Sequence, residues 1–287
     1  MAGGGLIVYR RWIMTDEKKA GSAKDSHYAR LRRAHRERKQ VTAPSAPDLP
    51  EHQVRLYGLH TVRAALDNPS RKILRMFVTR NAAQRLELGD LHALPYPAEL
   101  VEPKAIDALV GSEAVHQGVV VEAHRRKAKA LSELGRASLV LVLDQVTDPH
   151  NVGAIMRSAV AFNVDALVTT TRHSPAESGV LAKSASGALE HIDHIEVRNL
   201  ANAIEELHAA GFQTVGLDSE GPEPLEGTLE GGKIALVLGA EGKGLRQKTR
   251  ETVTALARLD MPGAIRSLNV SNAAAVSLYI ARQALKG

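Results

Sequence analysis

The 287-residue chain contains no cysteine, which removes disulfides and thiolate metal centres from consideration. No apolar run approaches the roughly 18 residues that a membrane-crossing helix requires. The start, MAGGGLIVYRRWIM, holds only a short apolar stretch with arginines inside it, which argues against a secretory signal. The twelve histidines show no HExxH or comparable ligand spacing, so no metal is expected. The glycine loop GAEGKGL lacks the GxxxxGKS/T spacing of a phosphate-cradling P-loop, which sets that class of enzyme aside. What remains, with 44% hydrophobic and 24% charged residues, is the composition of an ordinary soluble globular protein, expected in the cytoplasm. The length has room for two compact domains and a tail.

Charge is unevenly spread. Residues 1 to 40 hold eleven Lys/Arg against four acids, while the rest of the chain carries 26 basic and 28 acidic residues. The basic balance therefore belongs to an N-terminal arm, a form suited to long-range attraction by a polyanion through counterion release; a solvated leader with no partner would look the same. Residues 1–53 read as a basic disordered tail and linker, with room for a helix at Tyr28 to Lys39 and a proline-spaced end, APSAPDLP.

A small α/β unit is expected over residues 54–124. LYGLHTVRAAL reads as a loop and amphipathic helix, ILRMFVTR as a strand, and VHQGVVVEA as a turn and a valine-rich strand. Residues 125–137 are polar and charged, a linker with room for a short helix. Residues 138–287 form the second domain. It opens with LVLVLD, continuously apolar as parallel-sheet strands are. Asp148-Pro149 then turns the chain, and Asn151 is a candidate N-cap for a helix whose apolar stripe is Val152, Ile155, Met156, Ala159 and Val160, with Arg157 at its margin. ALVTT, HIDHIEV and FQTVGLD read as strands, SPAESGVLAKSASGAL and LANAIEELHAAG as helices, an alternation that implies a helix-covered parallel sheet. Lys183 and Glu190 read most simply as exposed helix charges.

Two strand exits close the chain. An apolar strand from Ile234 to Leu238 runs into glycines at Gly239, Gly242 and Gly244, and a second from Ala255 to Leu259 runs into Asp260-Met261-Pro262-Gly263. Exits of this kind leave backbone groups unpaired and are where open α/β sheets bind ligands. Ser267-Leu268-Asn269 precedes an alanine-rich helix pattern whose apolar Ala273 to Ala284 suits either an interface or a core.

Three segments, DPHNVGAIMRSA, GAEGKG and SLNVSNAAAV, stand in that order over about 130 residues. Together they resemble the three signature motifs of the SpoU (TrmH-type) RNA ribose 2'-O-methyltransferases, and most of all the subgroup acting on guanosine of 23S rRNA. The resemblance implies an α/β fold: a trefoil-knotted, Rossmann-like parallel-sheet domain at the C-terminus, preceded by a small L30e-like domain. It also implies S-adenosylmethionine as cofactor, RNA as partner and a homodimer formed through the knotted domain. Carried onto this chain, Gly239, Leu259 and Leu268, with Met261 and Ser267 nearby, would hold the cofactor. Arg157 would act centrally in methyl transfer, with Asn151, Glu241, Ser267 and Asn269 completing the catalytic set. Glu241 would either orient Arg157 or cap its own loop. Arg63, His116 and Gln117 would face RNA, although His116 and Gln117 equally suit a turn that satisfies itself. The same chemistry on transfer RNA and an RNA-binding assembly factor without catalysis are the competing expectations.

Overall fold

The computed structural model describes residues 49–264 and 267–286. The expected tail helix at Tyr28 to Lys39, and nearly all of the basic arm, lie outside the described residues.

Strands β1 (Gln53–Tyr57), β2 (Ile73–Val78), β3 (Ala98–Leu100) and β4 (Val119–His124) form a four-stranded sheet in the order β1-β4-β2-β3. The central β4 runs antiparallel to both neighbours. Its buried Glu122 accepts hydrogen bonds from Arg55 at 3.0 Å and Arg75 at 2.6 Å, so one carboxylate ties three strands together. Helices α1 (Leu59–Asp67), α2 (Arg80–Arg85) and α3 (Pro103–Val110) connect the strands.

The second sheet has seven strands, all parallel. In chain order come β5 (Leu139–Asp144), α4 (Pro149–Ala161), β6 (Ala166–Thr170), α5 (Gly179–Ala185), β7 (Asp193–Val197), α6 (Leu200–Ala209) and β8 (Gln213–Leu217). They are followed by β9 (Glu223–Pro224), α7 (Leu225–Thr228), β10 (Ile234–Gly239), α8 (Gln247–Thr252), β11 (Ala255–Arg258) and α9 (Val270–Ala284). The spatial order is β7-β6-β5-β10-β8-β11-β9. Strands β5, up to its final Asp144, and β10 are apolar because both faces are covered. Leu139, Leu141 and Leu143, with Ile234, Leu236 and Leu238, enter the cluster beneath α4, α5 and α9; Val140, Val142, Ala235 and Val237 enter the opposite one beneath α6. Parallel pairing puts every strand's C-terminal exit on one edge of the sheet.

The first cluster also takes in Val54, Leu56, Val119 and Val121 of the smaller sheet, so the two sheets share apolar packing. At this junction Glu190, expected as an exposed helix charge, is buried. It lies in a short 3-10 turn, Ala188–Glu190, because Ser186 (φ 50) and Gly187 (φ 95) leave the helical region and end α5 early. Glu190 accepts from Arg71 Nη2 at 2.5 Å and from Asn68 Nδ2 at 2.7 Å, while Arg71 Nη1 donates to Glu177 at 2.7 Å. The side chain of Arg71 is 0% exposed. Lys183 likewise faces the junction and donates to Gln117 Oε1 at 2.6 Å; burial holds its ammonium below the ordinary lysine value. Residues 125–137 carry one 3-10 turn, Leu131–Glu133.

His194 on β7 is pushed down to about 4, first by burial and second by the charge of Arg126. The unfolded chain takes up a proton near pH 6.5 that the folded chain refuses until about pH 4, so stability falls as pH drops through that window. Between pH 7 and 5 this group is expected to cost about 2 kcal/mol. Urea midpoints of the wild type and His194→Gln at the two pH values check this, the variant losing less than the wild type on acidification.

Candidate active site

The exit of β10 is built around a close backbone approach. A Cβ on Gly239 would lie within the shell of the Gly244 carbonyl and the Leu245 amide, so only glycine lets loop 240–246 fold back on its own strand. Gly244 N–H donates to Ala240 O at 2.8 Å, and Gly242 turns the chain at φ 76. Asp144, level with Gly239 on the neighbouring β5, is fully buried and accepts from the backbone N–H of Arg246 at 3.0 Å and from its Nε at 2.6 Å. This carboxylate pins the far end of the loop. It was missed from the sequence, where the sole signal is an acid ending an apolar run. Within the loop the N–H groups of Glu241, Gly242 and Lys243 have no partner among the described residues.

Gly239→Ala is expected to lower stability by about 1–3 kcal/mol through overpacking and to weaken any ligand held by the loop at least tenfold. Gly263→Ala, with open space around its added methyl, should change neither. Thermal melts and calorimetric titration with S-adenosylmethionine read both effects.

At the exit of β5, the helix cap differs from expectation. Asp148 caps α4, its carboxylate accepting from His150 N–H at 2.9 Å, and Pro149 opens the helix, where its missing N–H costs nothing. Asn151 is thereby moved into the first turn and its side chain is free for other work. Its Oδ1 accepts from Asn269 Nδ2 at 3.2 Å, and the same Nδ2 donates to Glu241 Oε2 at 3.2 Å. The orientation of the Asn269 amide is fixed because its Oδ1 caps α9, accepting from Ser271 N–H at 2.9 Å and Ser271 Oγ at 2.6 Å. One asparagine thus joins the three motifs. Leu259 is half-buried against the core beside β11, Met261 is half-buried, and Ser267 and Leu268 are exposed just before the Asn269 cap.

Arg157 stands apart from that hub. It is exposed and has no hydrogen-bonding partner among the described residues, and the Glu241 carboxylate expected to orient it, or else to cap its own loop, is engaged with Asn269 instead. Arg157 lines a groove of about 400 Å³ with Ser271 and Asn272, and on its other side a cleft of about 430 Å³ that it shares with His60, Arg63 and His191. The structure therefore brings Arg63 to the cleft of Arg157, its guanidinium also donating to Leu86 O. His116 and Gln117 are spent on the turn before β4. His116 bridges Asp107 and Gly118 N–H, both at 3.0 Å, and Gln117 Oε1 accepts from Leu59 N–H at 3.1 Å as well as from Lys183. No group of three or more histidine or carboxylate side chains among the described residues is arranged to hold a metal.

Family models match two segments: residues 138–279 match the SpoU rRNA Methylase family, and residues 55–128 match RNA 2'-O ribose methyltransferase substrate binding. The chain is 35% identical over 233 residues to the 23S rRNA (guanosine-2'-O-)-methyltransferase RlmB of Yersinia pestis, covering 78% of this chain and 94% of that protein. It is 37% identical over 243 residues to RlmB of Pasteurella multocida, covering 80% and 98%. Among solved structures it resembles the SpoU methyltransferase AviRb from Streptomyces viridochromogenes in complex with AdoMet, with a TM-score of 0.70 at 20% identity over 92% of this chain and 98% of that one. An rRNA methyltransferase from Sinorhizobium meliloti aligns with a TM-score of 0.70 at 24% identity, covering 82% of this chain and 88% of the other.

Proposed function

The chain belongs to the SpoU rRNA methylase family, and from that premise we propose that it methylates the ribose 2'-hydroxyl of a guanosine in 23S rRNA, with S-adenosylmethionine as the methyl donor. The observation that carries the reading beyond family membership is the Asn269 hub, which draws all three motifs to the exits of β5 and β10.

The residues at those exits suit the donor. Gly239 permits close approach, the N–H groups of residues 241–243 are available to read a ligand edge, and Leu259, Met261, Ser267 and Leu268 border the same loops. Bound there, the donor supplies a sulfonium methyl that is already electrophilic. What the protein must add is position and help for the attacking oxygen. Asn151 and Asn269 set the loops against each other, and Glu241 anchors the second loop through Asn269. Arg157 acts on the ribose side. A guanidinium keeps its protons, so its task is to stabilise the 2'-oxygen as the hydroxyl proton leaves, or to grip the adjoining phosphate, and not to act as the base. Arg63, in the same cleft, supports the RNA backbone.

The division that accompanies this function is a tail and linker to residue 53, an L30e-like RNA-binding domain over 54–124, a linker over 125–137 and a trefoil-knotted catalytic domain over 138–287, in a cytoplasmic protein. Two copies pair through the catalytic domain. Support for pairing comes from the outer face of α9, where Val276 is 44% and Tyr279 55% exposed, beside Phe162 and the Arg157 groove. Mapping ribose methylation in the ribosomal and transfer RNA of cells with and without the gene tests the assignment. Loss of a single 23S guanosine mark is expected; loss confined to transfer RNA, or no loss, overturns it.

A further inference from the structure

Along the C-terminal edge of the seven-stranded sheet, cations without partners gather towards the β7 end. After β6 come Arg172 and His173, after β7 comes Arg198, and Lys243 lies in the loop after β10; all four are exposed and make no hydrogen bond or ion pair among the described residues. Of the acids on this half, Glu177 in the loop after β6 is taken up by Arg71 and the Arg126 N–H, Asp148 after β5 is a helix cap, Glu241 accepts from Asn269, and Glu196 near the end of β7 lies 3.9 Å from His194 Nδ1. On the other half of the edge two arginines are tied. Arg250 pairs with Asp218 after β8, Arg258 pairs with Asp260 after β11 at 2.9 Å, and Glu220 is left as an exposed, unpaired acid.

Strand order converts this into a path. From the loop after β10, the sheet runs through β5 and β6 to β7, three inter-strand steps or roughly 14 Å. Arg172 and Arg198 follow the adjacent strands β6 and β7 along it. The hydroxyls of Thr170 and Ser174, on either side of Arg172 and His173, are buried and without partners, so the loop is not fastened there by its own side chains.

We infer that the exits of β6 and β7, through Arg172 and Arg198 with His173 between them in sequence, form a phosphate-binding track that leads single-stranded substrate RNA away from the catalytic loops toward the β7 side. The inference rests on the RNA methyltransferase reading and deepens it by giving the substrate a direction across the sheet. The unpaired Glu220 after β8 disfavours a backbone on the opposite side, and exposed, unpaired arginines displace counterions when a phosphate arrives.

The test uses the full chain, an unmodified 23S rRNA transcript and three proteins: wild type, the double variant Arg172→Ala/Arg198→Ala, and Arg136→Ala. Arg136 is an exposed arginine before β5, on the opposite edge of the sheet. The slope of log affinity against log salt is measured for each, with S-adenosylmethionine affinity as a check on folding. Two single-strand phosphate contacts contribute about 1.4 to that slope. The double variant is expected to lose about that much while Arg136→Ala and donor affinity stay at wild-type values. An unchanged slope in the double variant, or an equal loss in Arg136→Ala, overturns the track. A wild type that binds the transcript with the expected slopes but transfers no methyl group would defeat the functional reading and leave the track standing.

Discussion

Arg157→Ala is expected to slow methyl transfer by roughly a hundred- to a thousandfold, the size of effect seen when a preorganised group facing developing charge is removed. Its affinity for S-adenosylmethionine should stay within a few fold, because Arg157 makes no hydrogen bond or ion pair with loop 240–246 or with the Asn151–Asn269–Glu241 hub among the described residues. The two readouts separate a role on the ribose from a role in the donor pocket. Single-turnover rates on 23S rRNA give the first and calorimetric titration gives the second. Arg157→Lys is informative beside it: a lysine keeps the charge but loses the planar fork, so a substantial residual defect points to bidentate grip. A fully active alanine variant would remove the residue from the mechanism.

The second large effect concerns stability. Arg71→Met removes the guanidinium that neutralises Glu190, whose side chain is 1% exposed, and Glu177. Burial alone would lower the pKa of Arg71, yet the hydrogen bonds and charges of those two carboxylates raise it, the sign of a cation held by its partners. Leaving them unpaired should cost about 3–5 kcal/mol, enough to lower a urea midpoint severely. Neutralising the whole cluster, Arg71→Met with Glu190→Gln and Glu177→Gln, should recover most of that loss, since the penalty lies in the stranded charge and not in the absence of the pair. A triple variant no more stable than Arg71→Met would contradict this account.

These two residues also mark what could be read in the sequence. Arg157 was legible because it sits in a motif, DPHNVGAIMRSA, whose neighbours in space lie in two other recognisable motifs. The Arg71 cluster was not. Its partners lie 106 and 119 residues away, and nothing local distinguishes Glu190 from a solvated helix charge until Ser186 and Gly187 bend the chain inward. Asp144 was hidden for a similar reason, its bond to Arg246 spanning 102 positions. Strands β5 and β10 announced themselves by continuous apolarity, but that same feature conceals which residue faces which cluster, since both faces are covered. The cap of α4 was placed three residues late: Asn151 has the chemistry of a cap, but a proline at the helix start gives that position to Asp148. The correction matters to function, because an asparagine released from capping can meet Asn269.

The most direct measurement supplies the full-length protein with S-adenosylmethionine bearing a labelled methyl group and an unmodified 23S rRNA transcript, then digests the RNA to nucleosides for mass spectrometry. The account predicts label in 2'-O-methylguanosine and in no other nucleoside. Label on a base, or none in the RNA while the donor is bound, would contradict it.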